Sequence, residues 1–98
     1  MMKVVQTFQT EIPVTFYKEE SFFVAYSPAL DLAAQGIDME EAQKNFTEVV
    51  AIFFEETASR GTLEDALLSL GWMKKQHTFE PPKVVETQNQ KIDIPIFA

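Results

Sequence analysis

One histidine, no cysteine and fifteen acidic residues bound the chemistry open to this chain. Zinc sites draw on thiolates and imidazoles, so with His77 alone only carboxylates remain as metal ligands. Glu41, Glu48 and Glu55 recur every seven residues, a spacing that could ladder oxygen ligands along a helix. An exposed helix face has the same spacing, and that plainer reading is preferred. Asp31 follows a strand-like run and, with Glu48, could begin a nuclease-like metal site, but further acids on the strands are missing. His77 has no serine or acid at a motif spacing, which makes it a surface residue rather than a general base. Neither Gly-x-x-x-x-Gly-Lys nor Gly-x-Gly-x-x-Gly occurs. The chain is therefore expected to be no enzyme and to hold no metal or cofactor.

The charge points instead to protein contacts. Fifteen acids against eight bases give a net charge of −7. Between positions 38 and 65 lie eight acids and two bases, so that segment alone supplies −6. Such a surface repels phosphate backbones and attracts basic partners. Lys74-Lys75 and the scattered Lys3, Lys18, Lys83 and Lys91 form no stripe with aromatics, so independent nucleic-acid binding is not expected. Absence of cysteine suits a reducing compartment. No apolar run reaches the roughly 18 to 20 residues of a membrane span, and residues 1–6 are too short an apolar run for a signal peptide, so a cytoplasmic location is expected.

These side chains need elements to position them. Ile12-Pro13-Val14-Thr15-Phe16-Tyr17 and Phe22-Phe23-Val24-Ala25-Tyr26-Ser27 are β-branched and aromatic runs around a polar break, the pattern of a hairpin. Residues 4–10 alternate in part and could extend the first strand. Pro28 stops the second strand, and residues 30–35 ahead of Gly36 form a short third. Asp38 with Glu41 reads as a capping box, so a helix is expected from Met39 to Ser59, where Gly61 ends it. Ala42, Phe46, Val49, Val50, Phe53, Phe54 and Ala58 form its apolar stripe, with Phe46, Val50 and Phe53 expected in the core. Thr62, with Asp65 three residues on, caps a second short helix ending at Gly71. Trp72 should fold back on that helix rather than bind a ligand. The expected fold is thus α+β: a three- to four-stranded antiparallel meander with one main amphipathic helix across one face, a short second helix and an extended tail. Residues 1–73 are read as the domain and residues 74–98 as a polar linker with a strand-like end.

Ser27-Pro28-Ala29-Leu30-Asp31, a strand closing at Gly36, and Asp38-Met39-Glu40-Glu41-Ala42 opening a helix together resemble the HicB antitoxin family in its single-domain form. That family reads Pro-x-Leu, then Gly-x-Thr-x-x-Glu-Ala. This chain matches at Pro28, Leu30, Gly36, Glu41 and Ala42, with Asp38 keeping the capping role of the threonine. The segment from Gly61 through Leu70-Gly71-Trp72 looks like a subgroup of the same proteins, and the resemblance covers roughly residues 10 to 72. It implies a partial ribonuclease-H-like sheet, no catalysis, and the binding and silencing of a small basic mRNA-cleaving toxin of the HicA type. The operator-binding domain that such proteins often carry is not expected from residues 73–98, which are too few and too irregular for a helix-turn-helix.

The expected partner is therefore a small basic toxin-like protein, met by Glu40, Glu41, Glu48 and Glu55. Two other readings stand beside it: a homo-oligomeric scaffold of the same fold without a toxin, and a small metal-dependent nuclease. Association is expected in addition, as a dimer, because Phe16 and Tyr17 point to opposite sheet faces, as do Phe22 and Phe23. The run Ile92-Asp93-Ile94-Pro95-Ile96-Phe97 would be wasted in solvent. It should dock as an edge strand on its own sheet or a neighbour's, with Phe16, Phe22, Ile94 and Ile96 as contacts.

Overall fold

The computed structural model describes residues 7–97. Residues 1–6, including the start of the strand extension expected over 4–10, lie outside the described residues, and residues 7–14 run without regular structure. The first sheet has three antiparallel strands in the order β1 (Thr15–Glu19), β2 (Phe22–Ser27) and β3 (Leu32–Gly36). A two-residue turn at Glu20-Ser21 joins β1 to β2, so β1 runs two residues further than the sequence suggests and begins later, beyond Pro13. Pro13 has no N–H to give a ladder, which favours its place outside the strand. Glu20 and Asp31, in the two tight turns, both take left-handed backbone with φ near +50°.

The register decides which side chains meet. Phe16 pairs with Ala25 and Ala25 with Ala34; Tyr17 pairs with Val24 and Val24 with Gln35. Because neighbours along a strand alternate faces, the first row lies under the helix and the second on the opposite side. Helix α1 (Met39–Arg60) packs mainly on β3 and then on β2, leaving β1 at its margin. Ala25, Ala42 and Phe46 are buried between helix and sheet, with Phe16, Phe23 and Ala34 packed around them. Val50 and Phe53 are half-buried against the clusters, so of the three expected core residues Phe46 is the most enclosed. Ser27, fully buried on the same face, has a hydroxyl with no hydrogen-bond partner among the described residues.

Close approach of helix and sheet is set at Gly36. A Cβ built there would lie 2.3 Å from the Ala42 backbone nitrogen and 2.7 Å from the Glu41 carbonyl carbon. Backbone cannot swing aside as a side chain can, so the first turn of α1 rests on β3 only because position 36 has no side chain. Ala42, the residue it meets, is itself fully buried.

At its other end α1 finishes in a Schellman turn. Gly61, at φ +70°, donates its N–H to Ala58, and Thr62 donates to Thr57. The same motif recurs after α2 (Leu63–Ser69): Gly71 donates to the Leu68 carbonyl and Trp72 to that of Leu67. This turn throws the Trp72 ring inward, onto Leu67, Ala29 and Leu30. Thr62 does not cap α2 with its side chain as expected. Its hydroxyl turns back toward the Thr57 carbonyl at 3.5 Å, because the Schellman turn of α1 already commits the backbone at that position.

Residues 74–80, read from sequence as polar linker, belong to the folded body. Strands β4 (Met73–Lys75) and β5 (Thr78–Glu80) form a second, two-stranded sheet closed by Gln76-His77, with Gln76 in left-handed backbone. Phe79 packs on the Trp72 cluster and so gives the short hairpin an apolar anchor. Lys74 pairs with Glu64 at 2.8 Å. Among the described residues no fourth strand joins the meander: residues 81–97 carry no regular structure, and Ile92, Ile94 and Ile96 are 71%, 72% and 93% exposed.

Gly36→Ala tests the helix–sheet contact. It should lower stability by about 1–3 kcal/mol through overpacking, read as a fall in the urea midpoint at unchanged slope. Gly61→Ala meets nothing within 4 Å. It should lose only the roughly 1–2 kcal/mol of left-handed backbone.

Candidate partner-binding surfaces

Asp38 and Glu41 do local work before any other. The Glu41 N–H donates to Asp38 Oδ1 at 2.7 Å, and the Glu41 carboxylate reaches back to accept the Ile37 N–H at 3.4 Å. This is the capping box expected from sequence, with the return bond taken one residue earlier than usual. Glu41 is accordingly half-buried and spoken for by the helix start.

Glu40, Glu48 and Glu55 are exposed, away from the buried stripe of Ala42 and Phe46. None makes an ion pair among the described residues, where the bridges are Lys74–Glu64 and Lys75–Glu80. The ridge of carboxylates along α1 thus presents its charge outward rather than spending it on neighbours. A broad, open depression over the first turns is bordered by Asp38, Glu40, Gln43, Lys44 and Thr47, and its acids make it unsuited to phosphate.

The face of the sheet that α1 does not cover forms a second surface. Tyr17, Phe22, Val24 and Tyr26 lie on it, Tyr17 and Phe22 being 50% and 45% exposed. Of the expected association residues, Phe22 is on this open face, whereas Phe16 packs under the helix side and Tyr17 takes the open position. Tyr26 was not singled out from sequence, although the alternation of β2 places it beside Val24 once the strand is phased by buried Ala25 and Ser27. Ile94 and Ile96 stand free of both surfaces within one chain.

Asp31, considered above as a possible metal ligand, is engaged in the β2–β3 turn: its Oδ1 accepts the Tyr26 hydroxyl proton at 3.0 Å. Among the described residues no three His, Asp or Glu side chains come together to hold a metal ion. His77 is exposed in the β4–β5 turn. No helix among the described residues is long and apolar enough to cross a membrane. Comparison with protein-family models, with curated proteins and with solved structures finds no match to this chain.

The Tyr26–Asp31 contact can be checked in solution. Its hydrogen bond to Asp31, then burial and the carboxylate charge, hold the Tyr26 phenol above its ordinary range. The raised value means the neutral phenol is favoured by folding, so this contribution is present below about pH 10 and is lost as pH rises through the folded value. Ultraviolet titration should find one of the two tyrosines ionising late, and Asp31→Asn, which tolerates the left-handed backbone at φ +52°, should bring it back.

Proposed function

We propose that this chain is a non-catalytic, cytoplasmic protein-binding module, a HicB-like antitoxin that binds and neutralises a small basic mRNA-cleaving toxin of the HicA type. The observation that carries the reading is the outward acidic ridge of α1, with Glu40, Glu48 and Glu55 exposed and without ion pairs among the described residues. Unpaired carboxylates on a rigid helix keep a full field for steering a basic partner and are desolvated only when it arrives. Glu41 sits at the foot of the ridge but supports the helix start through Ile37, so it contributes less to contact than its charge suggests. The Pro28, Leu30, Gly36, Glu41 and Ala42 pattern supports the family reading by resemblance, while Gly36, Glu41 and Ala42 also serve one junction of helix and sheet.

Binding to a small basic toxin of the HicA type is the test. Affinity should fall as salt rises from 50 to 500 mM, since exposed charges are screened beyond about 8–10 Å at physiological ionic strength. The combined Glu40→Lys, Glu48→Lys and Glu55→Lys variant should bind at least tenfold more weakly, while its helix content stays at the wild-type level. An affinity indifferent to both salt and charge reversal would reduce the ridge to solubilising surface. Mg- or Mn-dependent RNA cleavage by this chain alone, lost in Asp31→Asn, would replace the proposal with the nuclease reading.

A further inference from the structure

We propose that residues 92–97 form the fourth strand of the sheet of a second copy of this chain, paired antiparallel to its β1 in a reciprocal dimer. The inference stands apart from the toxin reading. It starts from two features that lack partners among the described residues: the apolar tail and the free β1 edge of the sheet. The tail does not fold back. The radius of gyration is 16.6 Å, against the roughly 12–13 Å of a compact chain this long.

The tail is built as an edge strand. In an extended run Ile92, Ile94 and Ile96 share one face, and their backbone groups point to one lateral side. Pro95, which lacks an N–H, falls on the other lateral side. One edge of the tail can therefore enter a ladder, while the other is blocked against a further strand, the device by which sheets avoid open-ended growth.

Of the two free edges, β1 suits it better. β3 lies beneath α1, and Asn45 already donates to its Gln35 carbonyl at 2.7 Å. β1 lies at the helix margin and pairs only with β2 among the described residues. The two-residue turn makes Glu19–Phe22 and Tyr17–Val24 hydrogen-bonded pairs of the hairpin, so Val14, Phe16 and Lys18 carry the backbone groups that face the free edge. Placing Ile94 opposite Phe16 in antiparallel register puts Ile92 opposite Lys18, Ile96 opposite Val14 and Lys91 opposite Glu19. Lys91 meets an opposite charge, Pro95 points away from the ladder, and the isoleucines continue the Phe16–Ala25 row at the helix margin. The eleven residues from 81 to 91 span up to about 36 Å, enough to cross between two bodies whose shorter dimensions are 29 and 25 Å. Two such exchanges close about a twofold axis.

Sedimentation of the full chain at micromolar concentration, beside an Ile94→Asp/Ile96→Asp variant, tests the association. The wild type should be a dimer and the variant a monomer with unchanged helix content. The absence of cysteine allows a second arm. Asp93→Cys chains, mixed under mild oxidation with Thr15→Cys, Tyr17→Cys or Glu19→Cys chains, should give a disulfide-linked pair of the two variants, most completely for Tyr17→Cys. A link at any of the three supports the site, and a link at none overturns it. A wild-type monomer, or a dimer that survives the aspartate substitutions, also overturns it. So does closure within a single chain carrying both Tyr17→Cys and Asp93→Cys, which would return the tail to its own sheet. A monomer whose tail becomes protected from proteolysis only when a basic toxin is added would give that segment to the toxin.

Discussion

Trp72 lies 43 residues from Ala29 along the chain, and its indole N–H donates to the Ala29 carbonyl at 2.7 Å inside a cluster sealed by Leu30 and Leu67. An indole N–H buried without an acceptor costs several kcal/mol on the scale of a lost hydrogen bond, and so does a buried carbonyl left without a donor. Each group here satisfies the other. The bond ties the end of α2 to the turn between β2 and β3, two pieces of the fold that share no backbone ladder. Around it gather Val50 and Phe53 from α1, Ile12 ahead of β1, and Phe79 from the second hairpin. Both helices, β3 and β5 thereby contribute side chains to the cluster around one aromatic ring.

The second constraint is the Gly36–Ala42 approach, at the opposite end of the helix–sheet interface. Together the two contacts hold α1 over β3 and β2, on one side of a thin sheet. That placement has a cost in exposed surface: Tyr17 and Phe22 remain on the uncovered side, and β1 keeps an open edge. It also turns the acidic side of α1 outward, where Glu48 and Glu55 make no ion pair among the described residues. On the proposed reading, the charge on one side and the apolar edge on the other are the two surfaces that meet partners.

How much of this was legible depended on whether the signal was local. β2 over Phe22–Ser27 and the start of α1 at Met39 were readable because β-branched and aromatic runs, a proline stop and an Asp-x-x-Glu cap act within a few residues. Trp72 was readable as a residue that folds onto its own helix, through Gly71 and Leu67. Its bond to Ala29 was not, since nothing near position 29 marks an orphaned carbonyl. The β4–β5 hairpin was hidden for a related reason. Its strands have three residues each, its turn is Gln76-His77 without glycine or asparagine, and its stability comes from Phe79 reaching a distant cluster. Thr62 showed the reverse, a local capping signal overridden by the turn that ends the previous helix. Among the candidate contacts, exposure of Glu40, Glu48 and Glu55 followed from helical periodicity, while the placement of Phe16 under the helix needed the sheet register.

Because Trp72 is the only tryptophan, its indole N–H gives one resolved proton resonance that reports the central contact without any substitution. Hydrogen exchange of that proton, followed by nuclear magnetic resonance in the intact chain, tests the account most directly. If the Ala29–Trp72 bond closes the fold, the indole proton exchanges as slowly as the best-protected amides of β2 and α1 and is released only with global unfolding. An indole proton that exchanges at the rate of an exposed tryptophan, while those amides stay protected, would show that sheet and helices hold together without it and would contradict the account.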